Sequence, residues 1–247
     1  MRKFIKKQLK KIGYELRKLP TIVDAKGNKF ETDLTTNDAL ARCAARGIEV
    51  NTLIDVGASD GRWSLDCVKF FPHAKYLMIE AQADHEDSLR KVIREHSNFN
   101  YIIAAAGSKK GKIYFNNDHL FGGTAYHEPI EGGIEVQMTS IDEEVKQRNL
   151  EPPFAIKLDT HGFEVPILEG AINTLKQASL VVIEVYNYKL LKDSLKYYEM
   201  CRYMEEQGFS TIEMADIMLR QHDASFWQMD LFFIPSHSRE FTYNSYK

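Results

Sequence analysis

The stretch NTLIDVGASDGRWSL, residues 51–65, decides the fold that we predict for this chain. The apolar run Thr52–Val56 has the length and character of a buried strand. It breaks into a turn that contains Gly57 and Gly61, and a segment compatible with a helix follows. We therefore expect a strand, a tight loop and a helix in succession, a junction that often holds a cofactor.

The same alternation of strands and helices continues along the chain. The other predicted strands cover residues 76–80, 101–105, 154–158, 180–185, 210–214 and 228–234. The first predicted helix covers residues 35–46, with its N-terminus at residues 35–38 and its end before Gly47. The other predicted helices cover residues 63–71, 84–96, 165–177 and 195–207. Repeated βαβ units give a parallel sheet with helices on both faces, because each right-handed crossover packs back onto the sheet. Two extra strands, 112–115 and 135–139, predict a small insertion over the site.

Composition limits the class of protein. The 247 residues are 44% hydrophobic, which is enough for the core of one α/β domain, predicted over residues 31–247. The net charge of -3 gives no general attraction to nucleic acid, and no apolar run is long enough to cross a bilayer. Cys43, Cys67 and Cys201 follow no disulfide or zinc spacing, which indicates a reducing cytosol.

Residues 1–30 are predicted to form a basic amphipathic helix and a loop. The first twenty residues contain eight Lys or Arg and one Glu. Apolar residues recur there at helical spacing, namely Ile5, Leu9, Ile12, Leu16 and Leu19. Such a stripe can rest on an anionic membrane, or it can dock on the domain with its lysines in water. We favour docking and keep peripheral contact with the inner face of the membrane as the alternative.

The first loop is the predicted cofactor site, because ligands of doubly wound sheets bind outside the carboxyl ends of the strands. A missing Cβ at Gly57 would admit a ligand, and Gly61 would ease helix packing. The spacing D-x-G-x-x-x-G lacks the second close glycine of a dinucleotide loop, and Asp55 and Asp60 would oppose a pyrophosphate. A neutral or cationic ligand suits the loop better, and a purely structural turn is the alternative. The loop residues assigned to the cofactor are Asp55, Gly57, Ala58, Ser59 and Gly61.

Glu80 ends the second predicted strand of this series. A carboxylate in this position can accept hydrogen bonds from the two vicinal hydroxyls of a ribose. Together with the glycine loop, Glu80 therefore predicts a nucleoside ligand, whereas alone it would be read as a solvated strand end. Ala81 and Ala105 are assigned to the same cofactor site.

Two sets of residues resemble a known family. Asp55, Gly57, Gly61 and Glu80 resemble motifs of the class I S-adenosylmethionine-dependent methyltransferases. The stretch FAIKLDTHGFEVPILEGA, residues 154–171, resembles the signature of the FkbM family, K-x-D-x-E/Q-G-x-E followed by Leu and Gly-Ala. The matching residues are Lys157, Asp159, Gly162, Glu164, Leu168, Gly170 and Ala171. His161 departs from the signature, since the family usually has Glu or Gln there.

The resemblance implies a fold and an activity. The fold is a doubly wound Rossmann-like α/β sheet of seven strands, mostly parallel with an antiparallel last strand, plus a small β insertion and an N-terminal helix. The activity is S-adenosylmethionine-dependent O-methylation of a hydroxyl, most plausibly on a sugar of a polysaccharide, glycolipid or glycoside. The alternatives are an NAD-dependent sugar-modifying Rossmann enzyme and a catalytically silent scaffold that binds cofactor or glycan.

The chemistry of methyl transfer to a hydroxyl needs a base that receives the proton. His161 is the first candidate and Asp159 the second, while a structural role for His161 stays open. Asp159 is also assigned to the cofactor. The residues assigned to the acceptor are Phe121, Gly123, Thr124, His127 and Glu184. Asp159, His161 and Glu184 are types that bind divalent metals, but their spacing does not demand a metal and none is predicted.

Overall fold

The computed structural model describes residues 21–23, 29–31, 34–116 and 122–245. The predicted basic helix and Phe121 lie outside these residues. Within the predicted N-terminal segment, two short antiparallel strands pair Thr21 with Glu31 where a loop was expected. The division of the chain into residues 1–30 and 31–247 stays a prediction.

The strands, in chain order, are β1 (Thr21–Val23), β2 (Lys29–Glu31), β3 (Thr52–Val56), β4 (Lys75–Glu80), β5 (Phe99–Ile103), β6 (Ala105–Ala106), β7 (Gly111–Asn116), β8 (Thr124–Tyr126), β9 (Ile134–Thr139), β10 (Phe154–Leu158), β11 (Ala178–Tyr186), β12 (Phe209–Leu219) and β13 (Phe226–Pro235). Seven of them form one sheet in the order β12-β13-β11-β10-β3-β4-β5. Strand β13 is antiparallel to both of its neighbours, and the other pairs of this sheet are parallel. The predicted fold class is thereby confirmed.

The helices are α1 (Thr36–Ala45), α2 (Arg62–Cys67), α3 (Glu86–Glu95), α4 (Ile141–Arg148), α5 (Glu164–Glu169), α6 (Ile172–Leu175) and α7 (Tyr197–Glu206). Helix α1 starts where predicted, because the Thr35 side chain accepts a hydrogen bond from the backbone N–H of Asp38. Helix α4 was not predicted. Its start has a recognisable sequence signal, since the Ser140 side chain accepts the N–H of Glu143 in a Ser-x-x-Glu pattern.

The predicted helix over residues 165–177 is wrong in one respect, because the structure divides it into α5 and α6. The break falls at Gly170. A Cβ atom at Gly170 would lie 2.0 Å from the carbonyl oxygen of Gly107, so the chain turns where a neighbouring backbone comes close. The predicted strand 101–105 also divides, since β5 ends at Ile103 and Ala105 begins β6 in a second sheet.

The large sheet is buried on both faces. Leu53 and Ile54 are consecutive in β3 and both are 0% exposed, yet they belong to two different apolar clusters. Because successive side chains of a strand point to opposite faces, this burial fits a central strand covered on both sides. None of the helices in the described part of the chain is both long and apolar enough to span a lipid bilayer.

The inserted sheet has the order β6-β9-β7-β8. It confirms the two predicted extra strands and adds β8, which pairs Ala125 with Phe115 where only a loop was expected. The cleft described next is lined in part by Phe115 of β7, by Ala125 of β8 and by Gly123, which directly precedes β8.

Candidate active site

A cleft of about 390 Å³ lies at the carboxyl ends of β3, β4, β10 and β11. It has a Glu80 end, formed by Ser59, Glu80 and Gln82, and a His161 end, formed by Asp159, His161 and Glu184. Glu80 is the last residue of β4, and Glu184 lies near the end of β11. Two strands lie between β4 and β11, so the two ends of the cleft are about 14 Å apart at the usual strand spacing. The volume is within the range of small-molecule sites.

Gly57 forms the floor of the cleft between these ends. Its φ is +74°, and a Cβ atom there would lie 2.0 Å from the carbonyl oxygen of Asp159. From the sequence, we expected a glycine here because the absence of a Cβ atom would let a ligand approach the backbone. The structure gives a different reason, because the backbone of the neighbouring strand occupies the space. Gly57 still lines the cleft.

The remaining loop residues divide into two groups. Ser59 lines the cleft, whereas Asp55, Ala58 and Gly61 support the loop from below and are not among the described lining residues. Gly61 has φ +84° and packs as predicted, since a Cβ atom there would lie 3.1 Å from the Met78 sulfur. The Asp55 carboxylate is 0% exposed and accepts a hydrogen bond from the Ser64 hydroxyl at 2.7 Å. Burial raises the pKa of Asp55 above its ordinary value.

Glu80 connects the two backbone segments that form its end of the cleft. Its two carboxylate oxygens accept the backbone N–H of Ser59 at 2.7 Å and that of Gln82 at 2.8 Å. Burial raises the pKa of Glu80, and these two hydrogen bonds oppose the rise. A carboxylate has about four lone-pair sites, so each oxygen keeps capacity for a further donor. Ala81 and Ala105 line the cleft, and their assignment to the cofactor stays a prediction.

His161 has its imidazole fixed by the inserted sheet. The residue has φ +52°, and its Nδ1 lies 3.3 Å from the carbonyl oxygen of Gly123. Because a carbonyl can only accept, we assign the ring proton to Nδ1. The Nε2 atom then presents its lone pair toward two carboxyl groups, at 3.7 Å from Asp159 Oδ1 and 3.9 Å from Glu184 Oε2.

The two carboxyl groups beside His161 differ in charge. Burial would raise the pKa of Asp159, but the positive charge of Lys157 brings it below its ordinary value. The Lys157 ammonium lies 3.0 Å from Asp159 Oδ2. Burial and the negative charge of Asp159 raise the pKa of Glu184 to about 9. At neutral pH, Asp159 is therefore ionised and Glu184 holds a proton.

Glu184 is positioned by side chains that the sequence did not single out. The Tyr186 hydroxyl donates to Oε2 of Glu184, and the Gln228 amide donates to Oε1. Gln228 was detectable in principle, because an antiparallel last strand starts at the carboxyl edge of the others. His85 was also missed. It lines the Glu80 end, with Nε2 3.4 Å from the Ser59 hydroxyl.

The other predicted acceptor residues have different positions. Gly123 lines the cleft, whereas Thr124 in β8 and His127 are not among its described lining residues. The His127 ring packs against Phe163, with 5.2 Å between ring centroids. Assignments of these residues to the acceptor stay predictions.

Glu164 supports the turn that carries His161. Its Oε1 accepts the N–H of Gly162 at 2.9 Å and the hydroxyl of Thr160 at 3.2 Å, so the first residue of α5 is bonded to the turn before it. Asp159, His161 and Glu184 also offer one ligand atom each within 4.8 Å of one another, close enough to surround a cation. The prediction that no metal is used stays a prediction.

The chain is similar to known methyltransferases in sequence and fold. Residues 55–211 match the family model of the methyltransferase FkbM domain. A hexuronic acid methyltransferase, AglP of Haloferax volcanii, is 27% identical over 139 residues, which are 56% of this chain and 57% of that protein. The crystal structure of methyltransferase FkbM from Methylobacillus flagellatus KT has a TM-score of 0.50 and 16% identity, over 74% of this chain and 43% of that one.

These two relatives are matched over only about half of their lengths. The family match covers more than half of this chain, residues 55–211, and it includes the glycine loop, Glu80 and the His161 end up to β11. It therefore covers both ends of the cleft. The chain belongs to the FkbM methyltransferases.

Proposed function

We propose that this protein is an S-adenosylmethionine-dependent O-methyltransferase that acts on a hydroxyl of a sugar in a polysaccharide, glycolipid or glycoside. One observation carries the proposal: a single cleft joins a strand-end glutamate, Glu80, to an anchored histidine, His161, across the glycine floor. The hexuronic acid named for the Haloferax volcanii relative supports a sugar acceptor.

The residues present suit the cofactor. Glu80 would accept the ribose hydroxyls, and Ala81 and Ala105 would flank the nucleoside with small apolar surfaces. Asp159 would face the amino acid part. When bound, S-adenosylmethionine supplies an electrophilic methyl group on a positively charged sulfonium. The described lining residues include three carboxyl groups and neither Lys nor Arg, which suits a cationic ligand.

His161 would receive the proton of the acceptor hydroxyl. The Gly123 carbonyl holds the ring proton on Nδ1, so Nε2 is the basic atom. The ionised Asp159 would stabilise the imidazolium that forms, and the ring is 30% exposed, so the proton can pass to water. Asp159 is the second candidate for the base. Holding the reacting atoms in line would supply much of the rate, up to ~7–11 kcal/mol in well-oriented systems.

Two alternative functions make different predictions. An NAD-dependent Rossmann enzyme would need room for a pyrophosphate beside the first loop, where Asp60 lies. A catalytically silent scaffold would bind cofactor or glycan without turnover. We further propose a cytoplasmic location, with membrane contact through the basic N-terminal segment as the alternative to its docking on the domain.

Calorimetry followed by an activity assay tests the proposal. S-adenosylhomocysteine should give a binding signal with the full chain, and NAD should give none. Labelled S-adenosylmethionine should then transfer its methyl group to a glycan acceptor, which mass spectrometry of glycans from cells with and without the protein would identify. Absence of heat with S-adenosylhomocysteine would refute the cofactor, and binding without transfer to the identified glycan would favour the scaffold.

A further inference from the structure

We infer that the acceptor is an uncharged sugar, and that the His161 end of the cleft selects against sugars that carry a carboxylate beside the reacting hydroxyl. The inference rests on the proposed function and narrows its substrate class to neutral glycosides. It goes beyond the reaction type, because both neutral sugars and uronic acids offer hydroxyls that can be methylated. It also separates this chain from the hexuronic acid named for the Haloferax volcanii relative, which supports a sugar as the acceptor but shares only 27% identity with this chain.

The first argument is the charge of the lining. Among the described residues that line the cleft, the acidic ones are Glu80, Asp159 and Glu184, and there is neither a Lys nor an Arg. An anionic acceptor would give up its hydration on entering and would find no Lys or Arg among these described lining residues to pair with. Burial of an unpaired charge is strongly unfavourable.

Lys157 is the cation nearest to the His161 end, and its charge is already matched. Its side chain is 6% exposed, and its Nζ lies 3.0 Å from Asp159 and 3.7 Å from Asp55. Asp230 acts on it as a third acid. Even when Glu184 is protonated, the single ammonium of Lys157 faces the carboxyl groups of Asp159, Asp55 and Asp230. The net charge around the His161 end is therefore not positive.

The second argument is that the same groups suit neutral hydroxyls. Asp159 and the unprotonated Nε2 of His161 are acceptors for O–H donors. Phe163 and Ile167 add apolar surface to the lining, and Met218, which is 51% exposed, does so at the mouth. A sugar ring, with apolar C–H faces and hydroxyl edges, matches this combination of surfaces.

The size of the selection follows from the charge on Asp159. Two like charges about 5 Å apart, at the effective dielectric of a protein surface, repel each other enough to change a binding constant on the order of 100-fold. The positive charge of the cofactor's sulfonium does not remove this repulsion between Asp159 and an acceptor carboxylate, because the sulfur becomes neutral as the methyl group leaves.

A matched series of acceptors tests the inference. Methyl hexosides, the methyl hexuronides of the same stereochemistry and the corresponding neutral hexuronamides would be assayed with labelled S-adenosylmethionine at pH 7.5. We expect kcat/KM for the uronide to be on the order of 100-fold below that of its hexoside. The uronamide should recover most of the loss, since it keeps the size and removes the charge.

A variant at Gln228 tests whether the selection against carboxylates arises at the His161 end. Gln228→Lys adds an ammonium beside Glu184, and it should raise the uronide-to-hexoside ratio at least about tenfold. Gln228→Met, which adds no charge, should leave the ratio low. A uronide within tenfold of its hexoside would overturn the inference, as would uronide methylation that appears only with added Mg²⁺ or Mn²⁺. If S-adenosylhomocysteine does not bind at all, the proposed function fails instead.

Discussion

The carbonyl oxygen of Asp159 lies 2.0 Å from the position that a Cβ atom would take at Gly57. The two residues follow neighbouring strands, β3 and β10, so the glycine floor and the turn that carries His161 are in direct contact. Gly57→Ala should therefore displace both ends of the cleft at once. We expect it to lower the free energy of unfolding by about 3 kcal/mol and to abolish binding of S-adenosylhomocysteine, measured by urea unfolding and calorimetry.

Gly47→Ala is the matched control for this variant. Gly47 has φ +82°, close to that of Gly57, but no heavy atom lies within 4 Å of its Cβ position. It should lose only the backbone term, about 1 kcal/mol, and keep its affinity. Equal losses in the two variants would mean that backbone conformation, and not the contact with Asp159, requires Gly57.

Glu80→Gln should weaken S-adenosylhomocysteine binding at least about tenfold. Both oxygens of Glu80 accept backbone N–H groups, from Ser59 and Gln82. A glutamine would turn its NH₂ group toward one of these donors and would also offer fewer acceptors to a ribose. Isothermal titration gives the affinity, and Glu95→Gln on the exposed end of α3 is the control. Unchanged affinity would remove Glu80 from the cofactor site.

His161→Ala should lower kcat by about 100-fold or more, the usual contribution of a general base, while the affinity for S-adenosylhomocysteine changes little. The reason is that His161 lies at the end of the cleft proposed for the acceptor, on strands other than the one that ends at Glu80. His222→Ala, at an exposed histidine, is the control. Full activity in His161→Ala would pass the role of base to Asp159, and Asp159→Asn would then be the inactive variant.

The order of elements could be predicted from the sequence because apolar periodicity and glycine turns are local signals. Thr35, Gly47 and the strand Thr52–Val56 illustrate this, since each acts through its immediate neighbours. The break at Gly170 could not be predicted, because it depends on the carbonyl of Gly107, which is distant in sequence. The same holds for the approach of Asp159 to Gly57.

The candidate site follows the same division. Glu80, Asp159, His161 and Glu184 end strands or follow them, so a strand prediction with a family resemblance was sufficient to find them. Gln228 and Tyr186 act through Glu184, and their role depends on how β11 and β13 pair. Thr124 and His127 are not among the described lining residues. Side chains alternate along β8, where Ala125 lines the cleft and Thr124 does not, and His127 packs against Phe163.

The basic N-terminal segment makes a prediction that concerns the whole chain. If this basic segment contacts membranes, the protein should sediment at low salt with vesicles that contain anionic lipid. It should be released at high salt, because added ions screen the attraction. A chain that starts at residue 21 should stay in the supernatant. Equal behaviour of the two chains at low salt would favour docking of the stripe on the domain.

Glu184 gives the protein a pH dependence of stability whose sign can be worked out. Burial and Asp159 raise the pKa of Glu184 from 4.5 to about 9, so the folded state holds this proton more tightly than the unfolded state. Between these values the folded state binds more protons, and the free energy of unfolding falls as the pH rises.

Glu184→Gln should remove this dependence, because the amide is neutral at every pH and can still bond with Tyr186 and Gln228. From pH 5 to pH 8 the wild type should lose on the order of 4 kcal/mol relative to the variant, as measured by urea unfolding at intermediate pH values. Glu206→Gln, at an exposed position of α7, should follow the wild-type curve. Parallel curves for the wild type and Glu184→Gln would mean that folding leaves the pKa of Glu184 unchanged, and Glu184 would then be ionised in the folded protein at neutral pH.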